Sequence, residues 1–293
     1  MAIPAQSSLT NSELRTLLVE HRKNNWQGIQ TPEWQSRIVD SMVNDDGGTI
    51  FAKLAGIWSL PAQATILDVG SGVGAFVVAC RRRGLIAFGI EPDRIGKGGG
   101  LTAIQIAKRR LENQVFAVAV GERLPFRDKS FDLVALDQVM EHVADQKAVL
   151  REAARVLKPG GAIYMASPNY LRFYESHYKI FWLPLLPKML GRLYLKTRAR
   201  NAVLLNQLTY TTNSRLSVLA RELGAEYSLV DLNQEQFLHK CKHGGFVSSR
   251  ARLLNRMMRL PVVGRLIGQA ALTYLRWTSA CEMVILRKPS EAR

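Results

Sequence analysis

Apolar residues in this chain stand in short runs that alternate with longer amphipathic stretches between about residues 64 and 168. Short apolar runs bounded by turn residues predict buried strands, and apolar residues at every third or fourth position predict helices. Strands are predicted at 66–69, 87–90, 115–120, 131–136 and 162–166, with helices at 75–83, about 101–112 and 145–157. This alternation predicts a parallel, doubly wound α/β sheet, which binds ligands at the carboxyl ends of its strands.

Beyond residue 168 the pattern predicts another core helix, opened by Thr212 and ended by Gly224, a strand at about 226–232 and a last strand at 282–286. The intervening segments are predicted to be mainly helical insertions late in the chain. We therefore divide the chain into an N-terminal helical segment (1–60), a ligand-binding core (61–170), a first insertion (171–210), a core helix and strand (211–232), a second insertion (233–278) and a last strand with a tail (279–293).

A glycine-rich turn follows the first predicted strand. Gly70, Gly72 and Gly74 carry no Cβ, so the backbone can turn tightly and approach a ligand closely. Their spacing also fits a loose dinucleotide-binding pattern, so the glycines alone leave the ligand open. Asp68 narrows the choice because its carboxylate would repel a pyrophosphate at the following helix N-terminus. It favours a ligand with an ammonium group and no phosphate, of which S-adenosylmethionine is the common example.

A second acid ends the second predicted strand. Glu91 lies about 20 residues beyond the glycine turn, where an acid can accept hydrogen bonds from both ribose hydroxyls of a nucleoside. Because parallel strands end at the same edge of a sheet, Glu91 and Asp68 are expected to border one crevice.

Residues 64–168 resemble class I S-adenosylmethionine-dependent methyltransferases, in particular the broad subgroup of quinone-biosynthesis, sterol and sugar methyltransferases. Five motifs carry the resemblance through their order and spacing: Leu67–Gly74, Gly89–Asp93, Leu124–Phe126 with Ser130–Asp132, Met140–Val143 and Leu157–Gly161. The resemblance implies a Rossmann-like sheet, S-adenosyl-L-methionine as the cofactor and methyl transfer as the activity.

Carried over to this sequence, the resemblance implies that the glycine turn holds the methionine end of the cofactor, that Glu91 binds the ribose and that the loop after the third strand binds the adenine. That loop usually offers an acid to the adenine, but Val120 stands at its position, so adenine binding would fall to backbone groups near Gly121 or to Glu122. The predicted cofactor-binding residues are Asp68, Gly70, Ser71, Gly72, Gly74, Glu91, Gly121, Glu122 and Asp137.

Candidate catalytic residues follow the fourth strand and open the first insertion. His142 is a candidate base that takes a proton from an acceptor hydroxyl, or else a helix-start residue that shapes the pocket. His177 and Tyr178 are weaker candidates within a Tyr/Glu/His cluster at 174–178, which is equally typical of a polar loop. The sequence predicts no metal: His239, Cys241 and His243 are ligand types without a second pair at zinc-like spacing.

The net charge of +16 is concentrated in the two insertions, which carry +6 (171–210) and +7 (233–278). Both insertions are also rich in Leu, Met and aromatic residues, and cationic helices with an apolar face suit an anionic membrane surface. The alternatives are a cap whose charges are only solvated, and a nucleic-acid surface. Nucleic acid is disfavoured because neither an Asn/Asp-Pro-Pro-Tyr/Phe motif at the fourth strand nor a Pro-Cys dipeptide occurs.

The remaining features indicate a cytoplasmic protein that is either soluble or peripherally bound to a membrane. Three widely separated cysteines argue against a disulfide framework, the start of the sequence lacks a signal-peptide pattern, and no apolar run reaches membrane-spanning length. The sequence thus predicts a methyltransferase, acting by in-line displacement on the oxygen of a small molecule, lipid or lipid-linked glycan. The alternatives are an RNA methyltransferase and a non-catalytic binding protein with the same fold.

Overall fold

The computed structural model describes residues 9–25, 32–44, 48–92, 101–111, 115–243 and 263–289. The helices are α1 (Asn11–Asn25), α2 (Pro32–Asn44), α3 (Gly48–Leu54), α4 (Ala75–Arg82), α5 (Ala103–Arg110), α6 (Gln146–Val156), α7 (Lys188–Thr197), α8 (Val203–Gln207), α9 (Asn213–Arg221), α10 (Leu232–His243) and α11 (Val263–Thr278). The strands are β1 (Thr65–Val69), β2 (Ile86–Glu91), β3 (Phe116–Val118), β4 (Phe131–Asp137), β5 (Leu157–Ser167), β6 (Tyr174–Glu175), β7 (Ile180–Phe181), β8 (Tyr227–Asp231) and β9 (Cys281–Arg287).

Seven strands form the main sheet in the order β3-β2-β1-β4-β5-β9-β8, and β9 is antiparallel to both of its neighbours. This confirms the predicted doubly wound α/β fold. The strand order reverses between β1 and β4, and such a switch point opens a crevice at the carboxyl ends of the two strands.

The core lies on both faces of the sheet, because consecutive strand residues point to opposite sides. Ile66 and Leu133 pack on one face with Val77 of α4, whereas Leu67 and Val134 pack on the other with Leu150 of α6. Burial on both faces explains why the central strands consist of nearly continuous apolar residues rather than alternating ones.

The two N-terminal helices pack on α5 beside the carboxyl edge of the sheet. Leu18 of α1, Val39 and Val43 of α2 and Ile106 of α5 form a separate apolar cluster that also contains Val73 of the glycine turn. The sequence predicts a helical segment in this part of the chain but gives no indication that it reaches the ligand site.

The first insertion, residues 171–210, forms a cap with the β6–β7 hairpin and helices α7 and α8. Its small core contains Tyr178, Trp182, Leu195 and Leu205. The end of the cap is attached to the chain after β4, where the Thr209 backbone N–H donates to the Glu141 carbonyl at 2.7 Å. The cap is therefore tied to the edge of the sheet at which the ligand crevice opens.

Two predicted strands differ clearly in extent from the observed ones. The strand expected at 115–120 is only Phe116–Val118, because Val120 instead pairs with Arg123 in a tight turn. β5 begins at residue 157 rather than 162, with an irregularity in its pairing to β4 between Phe131 and Leu133. Residues 244–262 of the second insertion lie outside the described residues. Among the described helices, none is long and apolar enough to cross a lipid bilayer.

Candidate cofactor and acceptor site

The glycine turn adopts the backbone conformation that its sequence predicts. Gly70, Gly72 and Gly74 have φ angles of 71°, 50° and 76°, in the left-handed region that favours glycine. A Cβ on Gly70 would lie 2.8 Å from Val139 Cγ2, whereas a Cβ on Gly72 would meet no atom within 4 Å. The turn therefore packs tightly on its inner side and exposes backbone at Gly72.

Glu91 contacts this turn directly, although 19 residues separate it from Gly72. Its Oε2 accepts a hydrogen bond from the Gly72 backbone N–H at 3.0 Å. The neighbouring Ser71 N–H donates to the carbonyl of Ile90 at 2.8 Å. The end of β2 thus fixes the glycine turn and places the Glu91 carboxylate beside it.

A cavity of about 650 Å³ opens over the ends of β1 and β4. This volume is typical of a small-molecule site. Of the predicted residues, the cavity wall includes Asp68, Gly70, Ser71 and Asp137. Gly72 and Gly74 belong to the adjoining turn, and Glu91, at the end of β2, contacts that turn; these three are not among the residues that line the cavity. The remaining lining residues are Ser41, Met42, Asn44, Thr49, Ile50, Lys53, Ala75, Phe76, Gln138, Tyr164, Ala166 and Glu282.

The chemistry of this cavity fits S-adenosylmethionine, which carries an ammonium group and a sulfonium group. Three carboxylates, from Asp68, Asp137 and Glu282, line it and offer acceptors for a cationic ligand. The buried Ser71 Oγ has no hydrogen-bond partner among the described residues, as expected where a ligand completes the site. Gln138 adopts a φ of 56°, and such strained backbone in a non-glycine residue is often found at ligand sites.

The predicted adenine loop follows β3 and presents no acid at Val120, whose side chain is 43% exposed. Gly121 is buried, and a Cβ there would lie 3.2 Å from Val69 Cγ1 and 3.3 Å from Val149 Cγ2. Close packing therefore favours a glycine at this position, whatever its backbone binds. Glu122 is half-buried beside it, so the roles of Gly121 and Glu122 toward adenine stay predictions.

The N-terminal helices contribute one side of the cavity, through α2 residues 41–44 and α3 residues 49–53. Arg110, at the end of α5, fastens α2 in place. Its guanidinium is 1% exposed and donates to the carbonyls of Val73 at 3.1 Å and Met42 at 3.0 Å. No local sequence signal indicates this contact, because Met42 and Arg110 are 68 residues apart.

We expect Arg110→Ala to lower the free energy of unfolding by roughly 2–4 kcal/mol, because two hydrogen bonds to a charged donor are lost. The variant should also bind the cofactor several-fold more weakly, since α2 loses its attachment beside the glycine turn. Urea unfolding and calorimetry measure the two effects. Lys108→Ala, an exposed position on the same helix, should change stability by no more than about 0.5 kcal/mol, and an equal loss in both variants would contradict this role of Arg110.

A second group missed by the sequence reasoning joins α3 to the sheet inside the cavity. Lys53 Nζ donates to Tyr164 Oη at 3.2 Å and contacts Glu282 Oε1 at 2.9 Å. Burial raises the pKa of the Tyr164 phenol well above its ordinary range. Tyr164 is thus a neutral hydroxyl that can bind polar groups of a ligand.

The candidate catalytic residues separate into two groups. His142 and His177 come together, with ring centroids 5.5 Å apart, and they adjoin the buried side chain of Glu141. Tyr178 instead points into the core of the cap, where its hydroxyl accepts a hydrogen bond from the Leu205 N–H at 3.0 Å. The structure therefore argues against the prediction that Tyr178 reacts with the acceptor, because its hydroxyl serves packing.

Glu141 stands out among the side chains of this region because it is fully buried. Its Oε2 accepts a hydrogen bond from Ser167 Oγ at 2.9 Å, and burial raises the pKa of its carboxyl to about 7. The sequence gives no indication of a role for Glu141, although Glu141 precedes His142 in the Met140–Val143 motif. Its burial follows from the cap covering the end of β4, which the sequence pattern does not reveal.

Three features of the site agree: the crevice at the switch point, the glycine turn fixed by Glu91, and the acidic cavity. Together they are typical of an α/β domain that binds a nucleoside cofactor with a positive charge and no phosphate. A family model for a methyltransferase domain matches residues 67–165, from β1 to β5. The match covers about a third of the chain and, over this domain, confirms the resemblance to class I S-adenosylmethionine-dependent methyltransferases seen in the sequence.

The relatives agree over the same part of the chain. An uncharacterized methyltransferase from Mycobacterium sp. (strain KMS) is 34% identical over 131 residues, 43% of this chain and 49% of that protein. A demethylmenaquinone methyltransferase from Tropheryma whipplei (strain Twist) is 32% identical over 132 residues, 44% of this chain and 52% of that protein. The chain thus spans about half the length of these curated relatives.

One solved structure with a similar fold is phosphoethanolamine N-methyltransferase 2 from Haemonchus contortus in complex with S-adenosyl-L-methionine. It is 14% identical, with a TM-score of 0.49, and the similarity covers 96% of this chain and 58% of that one.

Proposed function

We propose that this protein is an S-adenosylmethionine-dependent methyltransferase whose acceptor is a lipid or another small molecule bearing a hydroxyl, presented at an anionic membrane surface. The cofactor assignment rests on the glycine turn. In this turn the Gly72 N–H donates a hydrogen bond to the Glu91 carboxylate, and the carboxylate of Asp68 lies beside it. When bound, the cofactor supplies a methyl group on a positively charged sulfur.

The contributions of the chain to this reaction are binding and alignment. Asp68 and Asp137 accept hydrogen bonds from the cationic end of the cofactor, and Glu91 accepts them from the ribose. Holding the donor and the acceptor in line supplies most of the rate enhancement, because the two reactants no longer have to meet and orient in solution. His142, which follows the end of β4 and is partly exposed, takes a proton from the acceptor hydroxyl.

The membrane part of the proposal rests on the surface of the cap. On α7, Met189 and Leu193 are 73% and 62% exposed, and they share one face with Arg192 and Lys196 because residues three and four apart are neighbours on a helix. The opposite face of α7 buries Gly191 and Leu195. The exposed apolar face is therefore not the face that packs on the cap.

The hairpin and the following loop extend this surface. Phe173 and Phe181 stack with ring centroids 5.8 Å apart, and each is 57% exposed. Leu183, Leu185 and Leu190 are also exposed. Exposed apolar side chains beside cations support contact with an anionic bilayer rather than with nucleic acid, since a phosphate backbone requires only the cations.

The proposal is tested first by calorimetry with S-adenosylmethionine, with NAD⁺ as the matched alternative because the glycine spacing also fits dinucleotides. Binding of the first ligand and not of the second is expected. The protein is then incubated with methyl-labelled cofactor and with lipid, small-molecule or RNA fractions. Label in the lipid or small-molecule fraction supports the proposal. Label in RNA would favour an RNA methyltransferase, and failure to bind millimolar cofactor would favour a non-catalytic protein.

A further inference from the structure

A cluster of metal-ligand side chains lies where the cap meets the chain that follows β4. One potential ligand atom from each of Glu141, His142 and His177 lies within 4.8 Å of the others. Two of the residues follow β4 directly, and the third comes from the turn between β6 and β7, so only the folded chain brings them together. Glu141 and His177 are buried and His142 is partly exposed.

Glu141 offers an oxygen to this cluster. Its side chain is completely buried, and its Oε1 accepts no hydrogen bond among the described residues. The same oxygen lies 3.9 Å from His142 Nε2, which is too long for a hydrogen bond. A buried carboxylate oxygen without a hydrogen-bond donor is costly and usually indicates a water or an ion that completes the site.

A second buried carboxylate orients His177. Glu175 is 2% exposed, and its Oε1 lies 2.7 Å from His177 Nδ1, while its Oε2 accepts a hydrogen bond from the Tyr178 N–H at 2.6 Å. The ligand atom of His177 would then be Nε2. A carboxylate that holds the distant nitrogen of a histidine is the usual outer-shell partner of a metal-ligating imidazole, because it fixes the orientation of the ring.

We infer that Glu141, His142 and His177 bind a divalent transition-metal ion, with Zn²⁺ as the representative of the class, and that Glu175 is a positioning residue for His177. Two imidazoles and one carboxylate are a typical ligand set for a catalytic zinc ion, which keeps a further position open. Tetrahedral ligands at about 2.1 Å from Zn²⁺ lie about 3.4 Å apart, so the side chains need to move inward by about 1 Å.

The charges of the cluster agree with this assignment. Two buried carboxylates, Glu141 and Glu175, stand beside two imidazoles, and a dication would balance both negative charges in a region shielded from water. Imidazole ligands favour Zn²⁺, Ni²⁺ or Fe²⁺ over Mg²⁺, which prefers oxygen. The use of the ion rests on the proposed function: its open position would bind and polarise the acceptor hydroxyl, and the ion would then take the place of His142 as the group that activates this hydroxyl.

The test is metal binding by the full chain, freed of metal with a chelator and titrated with Zn²⁺ alone in a calorimeter. One equivalent is expected to bind, with Mg²⁺ binding far more weakly. Glu141→Gln, His142→Ala and His177→Ala should each weaken Zn²⁺ binding by more than about 100-fold, because they remove ligands rather than outer-shell partners. Glu175→Gln should weaken it by about 10- to 100-fold. Co²⁺ in place of Zn²⁺ provides a visible absorption spectrum, which the ligand variants should lose.

His239→Ala is the matched control, since it removes an exposed histidine on α10 and should leave Zn²⁺ affinity unchanged. The inference is wrong if the wild-type protein does not bind Zn²⁺, or if the three ligand variants bind Zn²⁺ as tightly as the wild-type protein. Loss of Zn²⁺ binding in His239→Ala would show that the metal binds at α10 instead, and it would contradict the inference. Each variant is also titrated with S-adenosylmethionine, so a metal site without cofactor binding, or the reverse, separates this inference from the proposed function.

Discussion

Asp68→Ala is expected to weaken S-adenosylmethionine binding by roughly 10- to 150-fold, the equivalent of 1.5–3 kcal/mol for a lost charge-assisted hydrogen bond. Asp68 is the last residue but one of β1, is 6% exposed and lines the cavity beside the glycine turn. Because it would contact the cationic ligand in a region largely shielded from water, salt should reduce the effect only slightly. Calorimetry with the cofactor and with S-adenosylhomocysteine measures the change.

The matched control is Glu226→Ala, which removes a carboxylate that is 54% exposed and lies just before β8. Since β8 runs parallel to β1, this position is at the amino edge of the sheet, opposite to the cavity. Cofactor affinity in the control should equal that of the wild-type protein. If Asp68→Ala binds S-adenosylmethionine as tightly as the wild-type protein, and circular dichroism shows an intact fold, then Asp68 is not part of the cofactor site.

Reversing two charges on α7, in the variant Arg192→Glu/Lys196→Glu, should abolish co-sedimentation with anionic vesicles. Each cation near such a surface contributes about 1 kcal/mol, so losing two attractions alone lowers membrane affinity about 30-fold. The two new carboxylates add repulsion. Vesicles of phosphatidylcholine with and without phosphatidylserine provide the measurement, and the wild-type protein should bind only the anionic ones and be released by salt.

Arg127→Glu/Arg151→Glu is the control with the same net charge, because both arginines are exposed and lie outside the cap. It should sediment almost as well as the wild-type protein, whereas a purely net-charge effect would make the two variants equal. A third variant, Met189→Ser/Leu193→Ser, keeps every cation and tests the apolar contribution. Equal binding of the wild-type protein to neutral and anionic vesicles, or to neither, would contradict the membrane proposal.

Much of the cofactor half of the site was predictable from sequence because its signals are local. The glycines, Asp68 and Glu91 stand at strand ends within about 25 residues of one another, and each residue type has a direct backbone or charge rationale. Arg110 and Lys53 could not be predicted in this way, because their partners lie 68 and 229 residues away. An ordinary lysine or arginine in a helix gives no signal of such a contact.

The candidate catalytic residues could be predicted only in part. Their residue types are equally suitable, and it is burial in the folded chain that distinguishes them. His177 and Tyr178 are neighbours with equally suitable chemistry, yet one side chain joins His142 and the other turns into the cap. Glu141 is an ordinary surface residue type that becomes buried when the cap covers it. Only the tertiary arrangement of the cap on the sheet distinguishes these cases.

The position of β9 has a consequence for how this protein can diversify. β9 fills the place between β5 and β8, so Ser167 and Cys281 are paired neighbours although 114 residues of chain separate them. The whole cap lies within that interval, whereas the glycine turn lies before it. Lengthening an already long connection adds little closure entropy, about 0.6 kcal/mol for each doubling. Sequence between the two strands can therefore be replaced or extended at small thermodynamic cost, which allows a new acceptor to be accommodated while the donor half stays the same.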